Sequence, residues 1–172
     1  CRWFRKAADA GNSDAMYFLA LAYGAGAGVK QDDTEAARWY REASDAGSRD
    51  ASFNLGAAYS AGRGVTQDYT EAARWYRKSA DAGSAAAMNN LGILYNNGLG
   101  QVKDYALAAR WYREGAEAGN SAAMVNLGIL YAYGRGFAKD YAKAARWYRL
   151  AANAGDEQGM SKLGYLYEKG DG

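Results

Sequence analysis

The chain has 172 residues, enough for one domain with a real core, and its 49% apolar and 23% charged residues suit a globular, soluble class. Twenty-one basic and 19 acidic residues leave a net charge of +2, which demands no polyanionic partner, and no apolar run approaches the ~18 residues that span a bilayer. There is no histidine, no proline and a single cysteine, so an internal disulfide, a cysteine metal site and the Ser-His-Asp or Cys-His arrangements are excluded.

Taken in chain order, the elements repeat. Tryptophan falls at Trp3, Trp39, Trp75, Trp111 and Trp147, always 36 residues apart. Tyrosine keeps the same interval at Tyr23, Tyr59, Tyr95, Tyr131 and Tyr167, and so does glycine at Gly11, Gly47, Gly83, Gly119 and Gly155. The chain opens on a partial helix B around Trp3, continues through four full helix pairs (A then B), and closes on a helix A around Tyr167. That makes ten helices in one uninterrupted domain, residues 1–172.

In the clearest copy, helix A runs near 85–97, where Met88, Leu91, Leu94 and Tyr95 give a helical apolar stripe. Helix B runs near 104–118. Asp104 stands at its N-cap, as do Asp32, Asp68 and Asp140 in the other copies. Asp32 with Glu35, and Asp68 with Glu71, match a capping box. Gly83 and Gly119 follow helix B where a left-handed residue is needed. Helix B carries Ala-Ala-Arg-Trp-Tyr-Arg in four copies, as at 72–77, and its Trp and Tyr are expected to fill the space between units. Burying one Trp removes ~200 Å² from water, a gross gain of ~5 kcal/mol. Glycine inside helix A, at Gly56, Gly92, Gly128 and Gly164, costs ~1 kcal/mol each against alanine. Its recurrence predicts that another backbone passes close by, more loosely in the first copy, where Ala20 holds the place.

Asn90-Leu91-Gly92-Ile93-Leu94-Tyr95, Gly98-x-Gly100, Asp104-Tyr105 and Ala109-Arg110-Trp111-Tyr112-Arg113 together resemble the Sel1-like repeat, a relative of the tetratricopeptide repeat. The resemblance covers the whole chain. It implies an all-α, right-handed superhelical α/α solenoid whose A helices line a concave groove and whose B helices form the convex side. It also implies an adaptor that binds protein. The chain departs from many members in having no proline in the A-to-B turn. The chain could be a piece of a longer array, and Cys1 reads either as a lipidated terminus or as a trimmed boundary.

The inward face of helix A, by phase, includes Tyr17, Leu21, Phe53, Asn89, Ile93, Asn97, Val125, Ile129, Tyr133 and Tyr165. These positions vary between copies while the Trp, Tyr and Gly frame does not, which leaves them free to serve a ligand or simply to drift in solvent. Asn54, Asn90 and Asn126 recur beside that face. They can bond an extended peptide backbone, or each can bond a neighbouring helix. The arginine pairs Arg38/Arg41, Arg74/Arg77, Arg110/Arg113 and Arg146/Arg149 form a ridge on helix B, read as side chains covering the tryptophans and balanced by Glu35, Glu71, Glu114 and Asp45. No serine precedes lysine by three residues, and Lys-Thr-Gly and Gly-Lys-Ser/Thr are absent, so no enzyme, cofactor or metal is expected. The expected function is a protein-interaction scaffold holding a peptide or partner protein in the groove, with no nucleic acid. The alternative is an assembly element acting through its ends or convex face, by end-to-end self-association.

Overall fold

A computed structural model describes residues 2–170; Cys1, and the choice between its two readings, lies outside the described residues. Those residues form ten α-helices and no strand: α1 (Arg2–Asp9), α2 (Ser13–Ala25), α3 (Asp33–Asp45), α4 (Arg49–Ala61), α5 (Tyr69–Asp81), α6 (Ala85–Asn97), α7 (Tyr105–Glu117), α8 (Ser121–Tyr133), α9 (Tyr141–Asn153) and α10 (Glu157–Lys169). Even numbers are A helices and odd numbers B helices. The chain divides into two compact units, Cys1–Ser84 and Ala85–Gly172. Within each, helices pack on their neighbours in chain order. No helix among the described residues is long and apolar enough to cross a membrane.

Side chains set the helix starts. Asp32, Asp68 and Asp104 each accept two backbone N–H bonds at the heads of α3, α5 and α7, and Asp140 accepts one from Lys143 at the head of α9. The expected capping boxes form only by half. The Asp32 and Asp68 amides already donate to the carbonyls of Tyr23 and Tyr59 at 3.0 Å, so Glu35 and Glu71 have no cap N–H to accept. They turn instead to Arg38 and Arg74. The same bond joins Asp104 to Tyr95 and Asp140 to Tyr131, and so closes every full A-to-B turn. After α5, Gly83 takes φ 88° and Ser84 donates back to the Ser79 carbonyl at 3.0 Å, a Schellman ending.

The glycines inside helix A answer to a different neighbour from the one expected. What lies against them is an aromatic ring. A Cβ on Gly56 would stand 2.7 Å from the Tyr76 ring, one on Gly92 2.5 Å from Tyr112, and one on Gly128 2.5 Å from Tyr148. Each tyrosine belongs to the following B helix and is buried. The tyrosine of the Trp-Tyr pair therefore fills its own hairpin and not the space between repeats. Where Ala20 replaces glycine, the matching Tyr40 is only half-buried. Gly164 has nothing within 4 Å. Close backbone approach does occur, but in the turn: a Cβ on Gly64 would lie 1.9 Å from the Asp33 carbonyl oxygen.

Tryptophan does join successive repeats. Trp39 packs with Ala8 of α1 and Leu19 of α2, and Trp75 with Ala37 of α3 and Leu55 of α4. The five copies are not equal anchors, however. Trp111 and Trp147 are half-buried, and Trp3 is 76% exposed because no earlier repeat among the described residues covers it.

Replacing Gly92 with alanine should destabilise the fold by about 1–3 kcal/mol, since the new methyl overlaps the Tyr112 ring. Gly164→Ala should be neutral or stabilising by up to about 1 kcal/mol through helix propensity alone. Urea denaturation of the two variants checks this, and equal losses would be the wrong outcome.

Candidate functional site

In the Cys1–Ser84 unit, Tyr17 and Phe53 are half-buried and Leu21 is exposed. The Asn54 amide donates to the Tyr17 hydroxyl at 3.2 Å, tying α4 to α2. Phe53 meets the Tyr76 ring at 5.7 Å. Leu21, Tyr40, Asn54 and Arg63 line a hollow of about 310 Å³ beside the start of α3.

In the Ala85–Gly172 unit, the Asn126 amide donates to Asn89 Oδ1 at 2.9 Å, again tying one A helix to the preceding one. Asn89 is only 8% exposed, and its own amide reaches the Asn90 oxygen at 3.5 Å. Val125 does not belong on an open face: it is 2% exposed, in a cluster with Ala132, Tyr148 and Leu166. Ile129 packs half-buried on the same cluster. Asn97 is exposed and accepts from Asn96 at 2.9 Å.

Two hollows lie along the A helices of this unit. Asn89, Ile93 and Asn126 face Asp156, Glu157 and Gln158 around about 480 Å³. The Ser121 hydroxyl and the Gly159 amide both donate to Asp156, and these bonds, the Gly159 amide first, hold its carboxyl below the usual range. The other hollow, about 360 Å³, lies between Tyr133 and Tyr165, which are 69% and 59% exposed, with buried Tyr148 and the half-buried Lys162 in its lining. Cations sit over both open rings: Arg135 is 5.3 Å from Tyr133, and Lys169 is 5.8 Å from Tyr165.

The asparagine series thus splits. Asn54 and Asn126 use their amides to space the A helices and do not stand as free rungs. Leu21, Asn97, Tyr133 and Tyr165 are the ones left open, while Ile93 and Ile129 are half-buried.

The arginine ridge behaves largely as read. Arg38 lies between Glu35 and Glu42, both at 3.0 Å, and over the Trp39 ring at 4.6 Å. Arg74 pairs with Glu71 at 3.5 Å, Arg110 with Glu114 at 2.9 Å, and Lys78 with Asp45 at 3.0 Å. These exposed pairs are each worth under about 1 kcal/mol. The second arginine has a role the sequence reading missed. Arg41, Arg113 and Arg149 donate to the hydroxyls of Tyr59, Tyr131 and Tyr167 in the next A helix, as Arg5 does to Tyr23. The signal was present as a constant 18-residue offset from arginine to tyrosine.

The Sel1 repeat family model matches residues 1–12, 13–48, 49–84, 85–120, 121–156 and 158–172. No curated protein matches the chain. Among solved structures, a protective antigen present in uropathogenic Escherichia coli strains, displaying an SLR fold, is 39% identical with a TM-score of 0.95. That similarity covers 99% of this chain and 36% of the antigen, so the chain spans about a third of that relative's length. A Sel1 repeat protein from Oxalobacter formigenes is 40% identical with a TM-score of 0.90, over 98% of this chain and 69% of that one. An immunity protein from Pseudomonas aeruginosa is 26% identical with a TM-score of 0.58, over 91% of this chain and 56% of that one.

Burial, then the neighbouring Tyr17, pushes the Tyr40 phenol up to about 12, and burial, then Tyr133, pushes Tyr148 up to about 12. Burial also pushes Tyr112 up. The fold therefore favours the neutral phenol, and this contribution is complete below the unfolded value of about 10. It should be lost as pH rises from about 10 through about 12. Tyrosinate absorbance should show a late-titrating group of tyrosines, and unfolding should become easier across the same window. Titration of every tyrosine near the ordinary value would contradict their burial.

Proposed function

The chain belongs to the Sel1 repeat family, and we propose that it holds a peptide segment of a partner protein against the exposed face of its A helices without catalysing a reaction. The Sel1 repeat fold is a general protein-interaction scaffold, and its members are generally non-catalytic. The observation that carries the reading is the hollow between Tyr133 and Tyr165, where two open aromatic rings flank a buried tyrosine floor. Aromatic rings on a rigid helix give contact area at low entropic cost, and the Ser161 hydroxyl and the cations beside them supply polar contacts to a main chain.

In the Ala85–Gly172 unit Ile93, Asn97, Ile129, Tyr133 and Tyr165 form the contact set in this reading, with Asn90 beside them; in the Cys1–Ser84 unit Leu21 is the corresponding contact residue. Tyr17, Phe53, Asn54, Asn89 and Asn126 shape the face by bonding or packing between helices. Val125 supports it from the core.

A second reading, assembly through α1 and α10, draws on the exposure of Trp3, Phe4 and Met160. Light scattering over a concentration series separates the two, since a strict monomer leaves no place for assembly.

Peptides selected by display against the whole chain should bind Tyr133→Ala or Tyr165→Ala about tenfold more weakly, a loss of about 1.4 kcal/mol, with Tm unchanged. Full affinity in the double variant would remove this face from the account.

A further inference from the structure

The B-helix side of the Ala85–Gly172 unit departs from its own repeat pattern at one place. Arg113, Glu117, Tyr131, Lys143, Arg146 and Trp147 line a hollow of about 400 Å³. We infer that this hollow is a docking site for an acidic segment of a partner protein.

Comparison of copies within the chain carries the argument. Two repeats earlier, the same positions are Arg41, Asp45, Tyr59, Glu71, Arg74 and Trp75. That copy is neutralised and closed. Glu71 takes up Arg74 at 3.5 Å, Lys78 takes up Asp45 at 3.0 Å, and Trp75 is buried. In the later copy Lys143 replaces the glutamate and Leu150 replaces the lysine. Arg146 has lost its carboxylate and has no ion-pair partner among the described residues. Trp147 is half-buried and forms part of the wall.

Three cations converge there. Arg113 is held by the Tyr131 hydroxyl at 3.1 Å. The Lys143 ammonium leans on Asp140 at 3.1 Å and stands 5.6 Å over the Tyr131 ring. Glu117 is the carboxylate in the lining. A partner carboxylate beside an apolar side chain fits this pattern: the acid meets Arg146 and Lys143, and the apolar group covers the Trp147 ring.

A nucleic-acid backbone fits it less well. Such a ligand needs a continuous basic track, and elsewhere the ridge is cancelled by Glu35, Glu42, Glu71 and Glu114.

The test follows the indole N–H signal of Trp147 by NMR, assigned from Trp147→Phe, in the whole chain at low salt. The probes are acetyl-Glu-Asp-Leu-Glu-Asp-amide and its uncharged counterpart acetyl-Gln-Asn-Leu-Gln-Asn-amide. The acidic peptide should shift Trp147, and the uncharged one should not. Lys143→Glu restores the residue that the earlier copy tolerates at Glu71, so folding is preserved. It should weaken the acidic peptide about tenfold, while Arg74→Ala and Tyr133→Ala leave it unchanged. No shift at millimolar peptide, equal shifts from both peptides, or undiminished binding by Lys143→Glu would overturn the site. A stronger response to inorganic phosphate or oligothymidylate would overturn its assignment to an acidic protein segment.

Discussion

The fold rests on the contact between a tyrosine ring on three of the B helices, α5, α7 and α9, and a bare glycine Cα on the A helix before each. Gly56 under Tyr76, Gly92 under Tyr112 and Gly128 under Tyr148 bring the two helices closer than any side chain would allow. Glycine costs about 1 kcal/mol in a helix. The ring it admits takes on the order of 150–250 Å² out of water, worth several kcal/mol gross. Burial of the ring is the larger effect. The first hairpin shows the other side of the balance: Ala20 is fully buried, and Tyr40 is left partly outside.

With each hairpin fixed, other residues join it to the next. Trp39 and Trp75 reach back onto the preceding B helix, and Arg41, Arg113 and Arg149 reach forward to a tyrosine hydroxyl. Asn54 and Asn126 set the spacing between A helices. All of this uses repeated positions. Beside that frame, Tyr133 and Tyr165 vary and stay open on the A side, and on the B side Arg146 holds a repeated position whose neighbouring glutamate has become Lys143. Both groups lie in the second unit, where the repeat pattern has drifted most visibly from the first.

The helices, their caps and their order were legible because each rests on local chemistry. A 36-residue period, Asp104 at a cap and Gly83 at a left-handed position need no tertiary knowledge. The partner of the helix-A glycine was not legible. Periodicity reports that a side chain is forbidden there but not whether backbone or ring forbids it. The capping box failed because a long-range bond from Asp32 to Tyr23 had already used the amide that Glu35 needed. The candidate face was only partly readable. Variation between copies does not by itself report exposure: Val125 and Asn89 vary while buried, Val125 packed against Tyr148 and Leu166 and Asn89 bonded to Asn126. The positions one turn later, Ile93 and Ile129, are half-buried and so lie nearer the open side.

A double-mutant cycle on Gly128 and Tyr148 probes the ring-and-glycine contact without intermediaries. With Tyr148 in place, a methyl at residue 128 should lower unfolding free energy. In a Tyr148→Ala background the same methyl should be harmless or favourable, giving a coupling above about 1 kcal/mol. An identical penalty in both backgrounds would mean that the glycine is needed for something other than the ring, and the account of the hairpin would be wrong.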